Sequence, residues 1–325
     1  MNTSTSLPLE PTPERLRNPI PRYVLATRPA FLTITLAGCL LGFSTAWFSG
    51  ISFNAWAATL TLVLALLAHA GVNVLNDYYD HLNGSDAINT ERVFPFTGGS
   101  RFIQNGVLTP AQMLAYGSLL FALVIAGGLW LIAQSGQDLF WIGLAGLFVG
   151  WAYSAPPLKL NSRGWGEVCV VAGFLLVVAG ADMVQRGTLD SFPRLSGLPW
   201  LAGLPYALLT ANILFINQFP DREADRQAGK HHWVVRLPLE KAVKVYALIV
   251  LVAGCVLLGL VGLRILPFAA LISLAGLAPA ISAWRMLKDQ CGQPAQLAPA
   301  IKATILAAHL HAILLAVALL IGRAT

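Results

Sequence analysis

The chain has 325 residues, of which 56% are hydrophobic and 11% charged, and its formal net charge at pH 7 is +6. Soluble domains carry about 25% charged residues, so the composition excludes a soluble globular protein and predicts an all-α, polytopic bundle of membrane helices. Aromatic residues do not interleave with basic ones on a polar surface, so nucleic acid is not an expected partner.

Apolar runs recur along the chain and are continuous, which favours helices over the alternating strands of a membrane barrel. A bilayer core requires about 20 apolar residues per helix. The runs predict nine spans, at residues 29–49, 54–75, 111–134, 138–154, 166–185, 198–217, 240–262, 265–284 and 303–322. The third and seventh spans are each separated from the next by a very short turn, so eight or ten spans are alternatives.

The ends and loops of the chain predict its orientation. Residues 1–28 are polar and cationic and predict a cytoplasmic tail, followed by a single transmembrane domain over residues 29–325. Most of the 21 Lys and Arg residues lie in the tail or in the loops after the second, fourth, sixth and eighth spans. Positive charge collects on the cytoplasmic side, which predicts an integral protein of the inner membrane with a cytoplasmic N-terminus.

The first of two acidic clusters follows the second predicted span. Asn73, Asp77 and Asp80 stand at positions i, i+4 and i+7, so they share one face of a helix. A helix break at residues 83–85 predicts that Asp86 folds back toward them from the loop. A charged side chain at the centre of a bilayer costs on the order of 3 kcal/mol or more and usually marks function.

The second acidic cluster follows the sixth predicted span. Asp221 and Asp225 share a helix face at positions i and i+4, while Glu223 lies roughly opposite and is interpreted as structural. A solvated helix end is the alternative for this segment alone, but two clusters at one membrane face favour a divalent-metal site. Mg²⁺ binds one or two carboxylates together with substrate phosphates. The predicted metal ligands are Asp77, Asp80, Asp86, Asp221 and Asp225.

The neighbouring loops contain candidate substrate contacts. Residues 97–101 offer exposed N–H groups and the Arg101 guanidinium, which is typical of an anion site, or else of a tight turn. Tyr153 and Lys159 end the fourth span on the same face. The alternative there is a proline-terminated helix with a snorkelling lysine.

Other titratable residues give weaker signals. Lys230 is equally consistent with a substrate contact and with a charge that sets topology. The pair at residues 231–232 has no acidic or cysteine partner at ligand spacing, so a zinc site is not predicted. Asp182, near the outer end of the fifth span, is expected to be interfacial. Glu167 is interpreted as a helix-start carboxylate.

Together, these motifs resemble the UbiA superfamily of intramembrane prenyltransferases, which have two Asp-rich motifs after the second and sixth of nine helices. The spacing Asn76-Asp77-x-x-Asp80-x5-Asp86 is similar to the branch that prenylates 1,4-dihydroxy-2-naphthoate for menaquinone. So are the segments around Tyr153 and Asp221. Two features depart from that branch: the form of residues 95–101, and Pro238 where glycine is usual.

The resemblance implies transfer of a polyprenyl group from a polyprenyl diphosphate to an aromatic acceptor, with Mg²⁺ as cofactor and membrane lipid as surroundings. It implies that the five aspartates hold Mg²⁺, with Asp77, Asp80, Asp221 and Asp225 as catalytic residues. It also implies substrate-binding roles for Asn73, Arg101, Tyr153 and Lys159.

Alternative acceptors are 4-hydroxybenzoate, homogentisate, haem or chlorophyllide, and a glycerol-phosphate lipid. A cation-coupled transporter is an alternative from another class. The absence of a matching acidic gate at the outer face disfavours it.

Overall fold

The structure, a computed structural model, describes residues 9–187 and 197–323, and within these ranges all regular secondary structure is helical. The α-helices are α1 Pro19–Ala26, α2 Pro29–Phe48, α3 Ala55–Asn83, α4 Ser85–Ile88, α5 Pro110–Ser135, α6 Asp138–Ser154, α7 Gly166–Arg186, α8 Leu198–Gln227, α9 Trp233–Arg236, α10 Leu239–Gly262, α11 Leu277–Gln290 and α12 Ala298–Gly322. Shorter 3₁₀ segments are Leu160–Arg163, Phe268–Gly276 and Pro294–Gln296.

In the described part of the chain, eight helical segments are long and apolar enough to cross a membrane. The fourth predicted span is α6, an apolar helix whose 17 residues make it shorter than those eight. The all-α membrane bundle is therefore confirmed. Large side chains such as Trp141 (67% exposed) and Leu119 (55% exposed) face outward, as expected where lipid rather than water surrounds the bundle.

Two helices continue beyond the predicted membrane spans, as the shared helix faces of the aspartates predicted. The second and sixth spans were predicted to end near residues 75 and 217, whereas α3 extends to Asn83 and α8 to Gln227. The predicted break after α3 is confirmed, because Gly84 adopts a left-handed conformation with φ 83°. The aspartates therefore project from fixed positions in the last turns of two long helices.

The eighth predicted span is not a single α-helix. It begins with the 3₁₀ segment Phe268–Gly276 and then continues as α11 to Gln290. A Cβ atom at Gly276 would lie 2.6 Å from the His311 backbone nitrogen, so only glycine permits this approach to α12.

The centre of the bundle is formed by α2, α7, α8, α10 and α12. Tyr206 of α8 is fully buried and donates a hydrogen bond to the Ile34 carbonyl at 2.5 Å. The hydroxyls of Tyr246 and Thr304 are 2.7 Å apart between α10 and α12. These bonds satisfy the tyrosine hydroxyls inside an apolar core.

Asp182 lies in the last turns of α7 and is buried inside the bundle, a contact that the sequence did not predict. It is 1% exposed, and its carboxylate accepts hydrogen bonds from Arg186 Nε at 2.5 Å and Thr45 Oγ1 at 2.7 Å. The pairing compensates for the burial of the charge. This polar group joins α2 to α7 at the end of α7 remote from Glu167.

Candidate active site

An elongated cavity of about 540 Å³ lies among α2, α3, α5, α6, α7 and α8. Along α3 its lining extends from Thr61 to Asp80, about 28 Å at 1.5 Å per residue. The aspartates lie at one end, whereas Leu64, Leu131 and Ile142 line the other. The cavity therefore fits an elongated molecule with a charged head and an apolar tail.

The two predicted acidic clusters meet at the polar end of this cavity. Four of the five predicted aspartates line it, namely Asp80, Asp86, Asp221 and Asp225. The fifth, Asp77, is 3% exposed and accepts hydrogen bonds from the Ser100 N–H at 3.2 and 3.3 Å. Residues separated by more than a hundred positions in sequence thus form one carboxylate cluster.

Lys230 joins the two clusters. Its ammonium lies 3.0 Å from Asp80 Oδ1 and 3.0 Å from Asp225 Oδ1. The chain reaches this position by turning back after α8, because Gly229 has φ 76° and the Lys230 N–H donates to the Asp225 carbonyl at 2.9 Å. Burial lowers the pKa of Lys230, but the charges of Asp80 and Asp225 outweigh it, so its pKa lies well above the usual value.

The loop between α4 and α5, residues 89–109 and here called the site loop, closes over the cluster. The Asn89 amide donates to Asp221 Oδ1 at 2.6 Å, and the Gly98 N–H donates to Asp221 Oδ2 at 3.3 Å. Burial, reinforced by the charges of Asp80 and Asp77, raises the pKa of Asp86 well above its usual range. The cluster therefore contains more negative charge than Lys230 balances, and it would be stabilised by a further cation.

Gly99 leaves a small space between two carboxylates. A Cβ atom there would lie 2.4 Å from Asp86 Oδ2 and 3.1 Å from Asp77 Oδ1, and its φ is 71°. Both oxygens thus face the same point. Among the described residues, no group of three or more His, Cys, Asp or Glu side chains is arranged to hold a metal ion by itself. The site instead presents carboxylate pairs, which leave coordination positions for water or phosphate oxygens.

The predicted substrate contacts occupy different places. Asn73 and Tyr153 line the cavity, and the Asn73 amide donates to the Thr27 carbonyl at 3.0 Å. Arg101 is 7% exposed and lies behind the loop, where its guanidinium donates to the Asp86 carbonyl. Lys159 is exposed at the surface with φ 45°. Neither Arg101 nor Lys159 is among the side chains that line the cavity.

The partners of two polar side chains were not predicted. His232 pairs with an aspartate, since its Nε2 is 3.0 Å from Asp225 Oδ2. Glu167 is buried and accepts a hydrogen bond from Gln218 Nε2 at 2.7 Å. Glycine commonly ends a helix and turns the chain, so Gly229 was the sequence signal that Lys230 and His232 return toward Asp225.

The N-terminal segment, residues 9–17, contacts the back of the site loop. Glu10 Oε1 lies 2.7 Å from Arg92 Nε, and Glu10 Oε2 lies 3.9 Å from Arg101 Nε. Arg92 in turn donates to the Asn89 carbonyl at 2.5 Å. Glu10 therefore orders two arginines that hold the backbone at Asn89 and Asp86. The division into a tail over residues 1–28 and one domain remains a prediction; residues 1–8 lie outside the described residues.

Comparison with known proteins supports a relationship over most of the chain. Residues 31–306 match the UbiA prenyltransferase family. The 1,4-dihydroxy-2-naphthoate octaprenyltransferase of Haemophilus influenzae is 29% identical over 311 residues, covering 91% of this chain and 93% of that protein. The enzyme of the same name from Escherichia coli is 30% identical over 257 residues, covering 77% of each.

The fold agrees with this relationship. A UbiA homolog from Archaeoglobus fulgidus, solved with DMAPP and Mg²⁺, superposes with a TM-score of 0.62 at 17% identity, covering 91% of this chain and 99% of that one. The resemblance expected from the two acidic motifs is confirmed, and a transporter is not supported. The chain is a membrane-embedded prenyltransferase and belongs to the UbiA prenyltransferase family.

Proposed function

We propose that this enzyme transfers a polyprenyl group from a polyprenyl diphosphate to 1,4-dihydroxy-2-naphthoate, a step in menaquinone biosynthesis. One observation supports it above all: a cavity about 28 Å long has a carboxylate cluster at one end and apolar walls at the other. The relatives from H. influenzae and E. coli bear the name of this acceptor. The distribution of basic residues favours a cytoplasmic carboxylate end in the inner membrane.

The carboxylate cluster fits Mg²⁺ as cofactor. The donors are hard oxygen ligands, Gly99 leaves space between Asp77 and Asp86, and Lys230 balances only part of the charge. We assign the metal to the carboxylates of Asp77, Asp80, Asp86, Asp221 and Asp225. When bound, Mg²⁺ neutralises the charge that develops on the leaving diphosphate.

The chain itself supplies the remaining contributions. Lys230 places a positive charge at the diphosphate end, and the apolar walls exclude water from a reactive allylic cation. Tyr153 also lines the cavity, and an aromatic ring stabilises such a cation through its π electrons.

The reaction breaks the allylic C–O bond, whose electron pair leaves with the diphosphate. A ring carbon of the acceptor supplies the pair for the new C–C bond. The ring then loses a proton, or carbon dioxide where the attacked carbon bears the carboxylate.

Product analysis tests this proposal. Purified protein in detergent, supplied with Mg²⁺, farnesyl or longer diphosphates and a panel of aromatic acceptors, is expected to yield a prenylated naphthoquinol by mass spectrometry. EDTA is expected to abolish turnover and added Mg²⁺ to restore it. If only 4-hydroxybenzoate or homogentisate gave a product, that compound would take the place of 1,4-dihydroxy-2-naphthoate as the proposed acceptor. Product formation in EDTA would contradict the metal assignment.

Glu10→Gln is expected to raise the Mg²⁺ concentration for half-maximal activity by about two- to tenfold. The variant loses the charge that orders Arg92 and Arg101, and a partly exposed ion-pair network contributes on the order of 1 kcal/mol. A Mg²⁺ titration of initial rates measures the change. Glu14→Gln is the matched control, because Glu14 is exposed on the same segment. Equal titration curves for both variants would show that Glu10 does not position the loop.

A further inference from the structure

Arg28 is a positive charge that lines the cavity outside the carboxylate cluster. It stands directly before α2 in a left-handed conformation, with φ 58°, which non-glycine residues adopt rarely. Its Nη2 donates to the Phe96 carbonyl at 3.1 Å. Phe96 belongs to the same loop as Gly98 and Gly99, which lie beside the aspartates. Arg28 and the aspartates therefore contact the same loop.

The guanidinium of Arg28 lacks an anionic partner. Among residues 9–187 and 197–323, no carboxylate oxygen lies within 4.0 Å of its nitrogens, and its buried Nε has no hydrogen-bond acceptor. Asp77 is near enough to experience its charge but forms no ion pair with it. Lys230, the other Lys or Arg that lines the cavity, is already held by two carboxylates. A guanidinium with a buried, unpaired N–H is suited to an anionic ligand.

The surroundings of Arg28 indicate which anion. The ring of Phe31 lies beneath its guanidinium, 4.7 Å from centroid to Cζ. Phe96, whose carbonyl Arg28 contacts, also lines the cavity, as do His69 and Phe174, whose rings are 5.7 Å apart. Flat aromatic walls suit a planar ring, and the planar guanidinium fork matches a carboxylate in bidentate geometry. Metal-binding carboxylates, by contrast, surround Lys230.

We propose that Arg28 binds the carboxylate of the aromatic acceptor and thereby selects acceptors that carry an acid group. This inference rests on the proposed function, which requires one diphosphate and one aromatic acid in the same cavity. The two anions then occupy separate positions, with the diphosphate at the aspartates and the carboxylate at Arg28. The acceptor ring is consequently held beside the end of the cavity where the allylic carbon is released.

The test compares Arg28→Met and Arg28→Lys with the wild type, using 1,4-dihydroxy-2-naphthoate and 1,4-dihydroxynaphthalene, which lacks the carboxylate. Arg28→Met is expected to raise KM for the carboxylated acceptor at least about tenfold, since hydrogen bonds to a charged group are lost. KM for the other acceptor and for the prenyl diphosphate should stay within about twofold. Arg28→Lys should be intermediate, because it keeps the charge without the fork. The control is Arg15→Met, an exposed arginine of the N-terminal segment.

A rise in KM for the diphosphate alone would overturn the proposal and assign Arg28 to the donor. Equal rises for both acceptors would also overturn it. If the wild type prenylates neither naphthalene, the proposed function fails separately. In that case, thermal stabilisation by 1,4-dihydroxy-2-naphthoate still decides the matter: loss of stabilisation in Arg28→Met alone supports the carboxylate site, and equal stabilisation of both proteins refutes it.

Discussion

Replacing Asp221 with asparagine is expected to reduce kcat/KM for prenyl transfer at least about 100-fold while the protein still folds. Asp221 is the carboxylate of α8 that the site loop contacts, through the Asn89 amide at 2.6 Å and the Gly98 N–H at 3.3 Å. Asparagine preserves the shape of the side chain but removes its charge and one acceptor oxygen. The loss should therefore fall on metal and diphosphate binding, measured by steady-state kinetics with Mg²⁺ held in excess.

The same reasoning applies to Asp77 on the opposite helix. Asp77 is buried and accepts two hydrogen bonds from the Ser100 N–H, so Asp77→Asn should produce a loss of similar size. Glu223→Gln is the matched control, since Glu223 lies on α8 between Asp221 and Asp225 but is exposed and paired with Arg226 at 2.9 Å. Near-wild-type rates in either aspartate variant would remove the metal assignment.

The membrane bundle and the positions of the aspartates were accessible from sequence because both depend on local periodicity. An apolar run predicts a helix, and spacing of i, i+4 and i+7 predicts a shared face, without reference to the rest of the chain. The turn at Gly84 was accessible for the same reason. The end of α8 was not, because its last turn is polar and is stabilised by contacts across the site rather than by lipid.

The contacts that bring the site together were not predictable from one sequence. Lys230 approaches Asp80 from the turn after α8, and Glu10 approaches Arg92 from the N-terminal segment. Such pairings depend on how the helices pack, and nothing in the local pattern distinguishes them from charges that set topology. The burial of Asp182 was not predictable for the same reason, because its partner Thr45 is 137 residues away in the sequence. Its burial follows from the contact of α2 with α7.

Lys230→Met is expected to lower both stability and activity, and Mg²⁺ should restore only the first. The ammonium lies 3.0 Å from one carboxylate of each helix, and Lys230 is 8% exposed. Removing one partner of a buried ion pair costs about 3–5 kcal/mol. In EDTA, the melting temperature should therefore fall by about 6 °C or more. Activity should fall about 100-fold at saturating Mg²⁺, because the diphosphate loses a cation that the metal does not replace.

Comparing Mg²⁺ with EDTA separates the two roles of Lys230. Once its charge is gone, Asp80 and Asp225 lose the cation that they share, so Mg²⁺ should raise the melting temperature of the variant more than that of the wild type. Lys241→Met is the control, because Lys241 is exposed at the start of α10. A variant that melts like the wild type in EDTA would show that the lysine is dispensable for holding the two helices together. Full activity in that variant would exclude Lys230 from diphosphate binding as well.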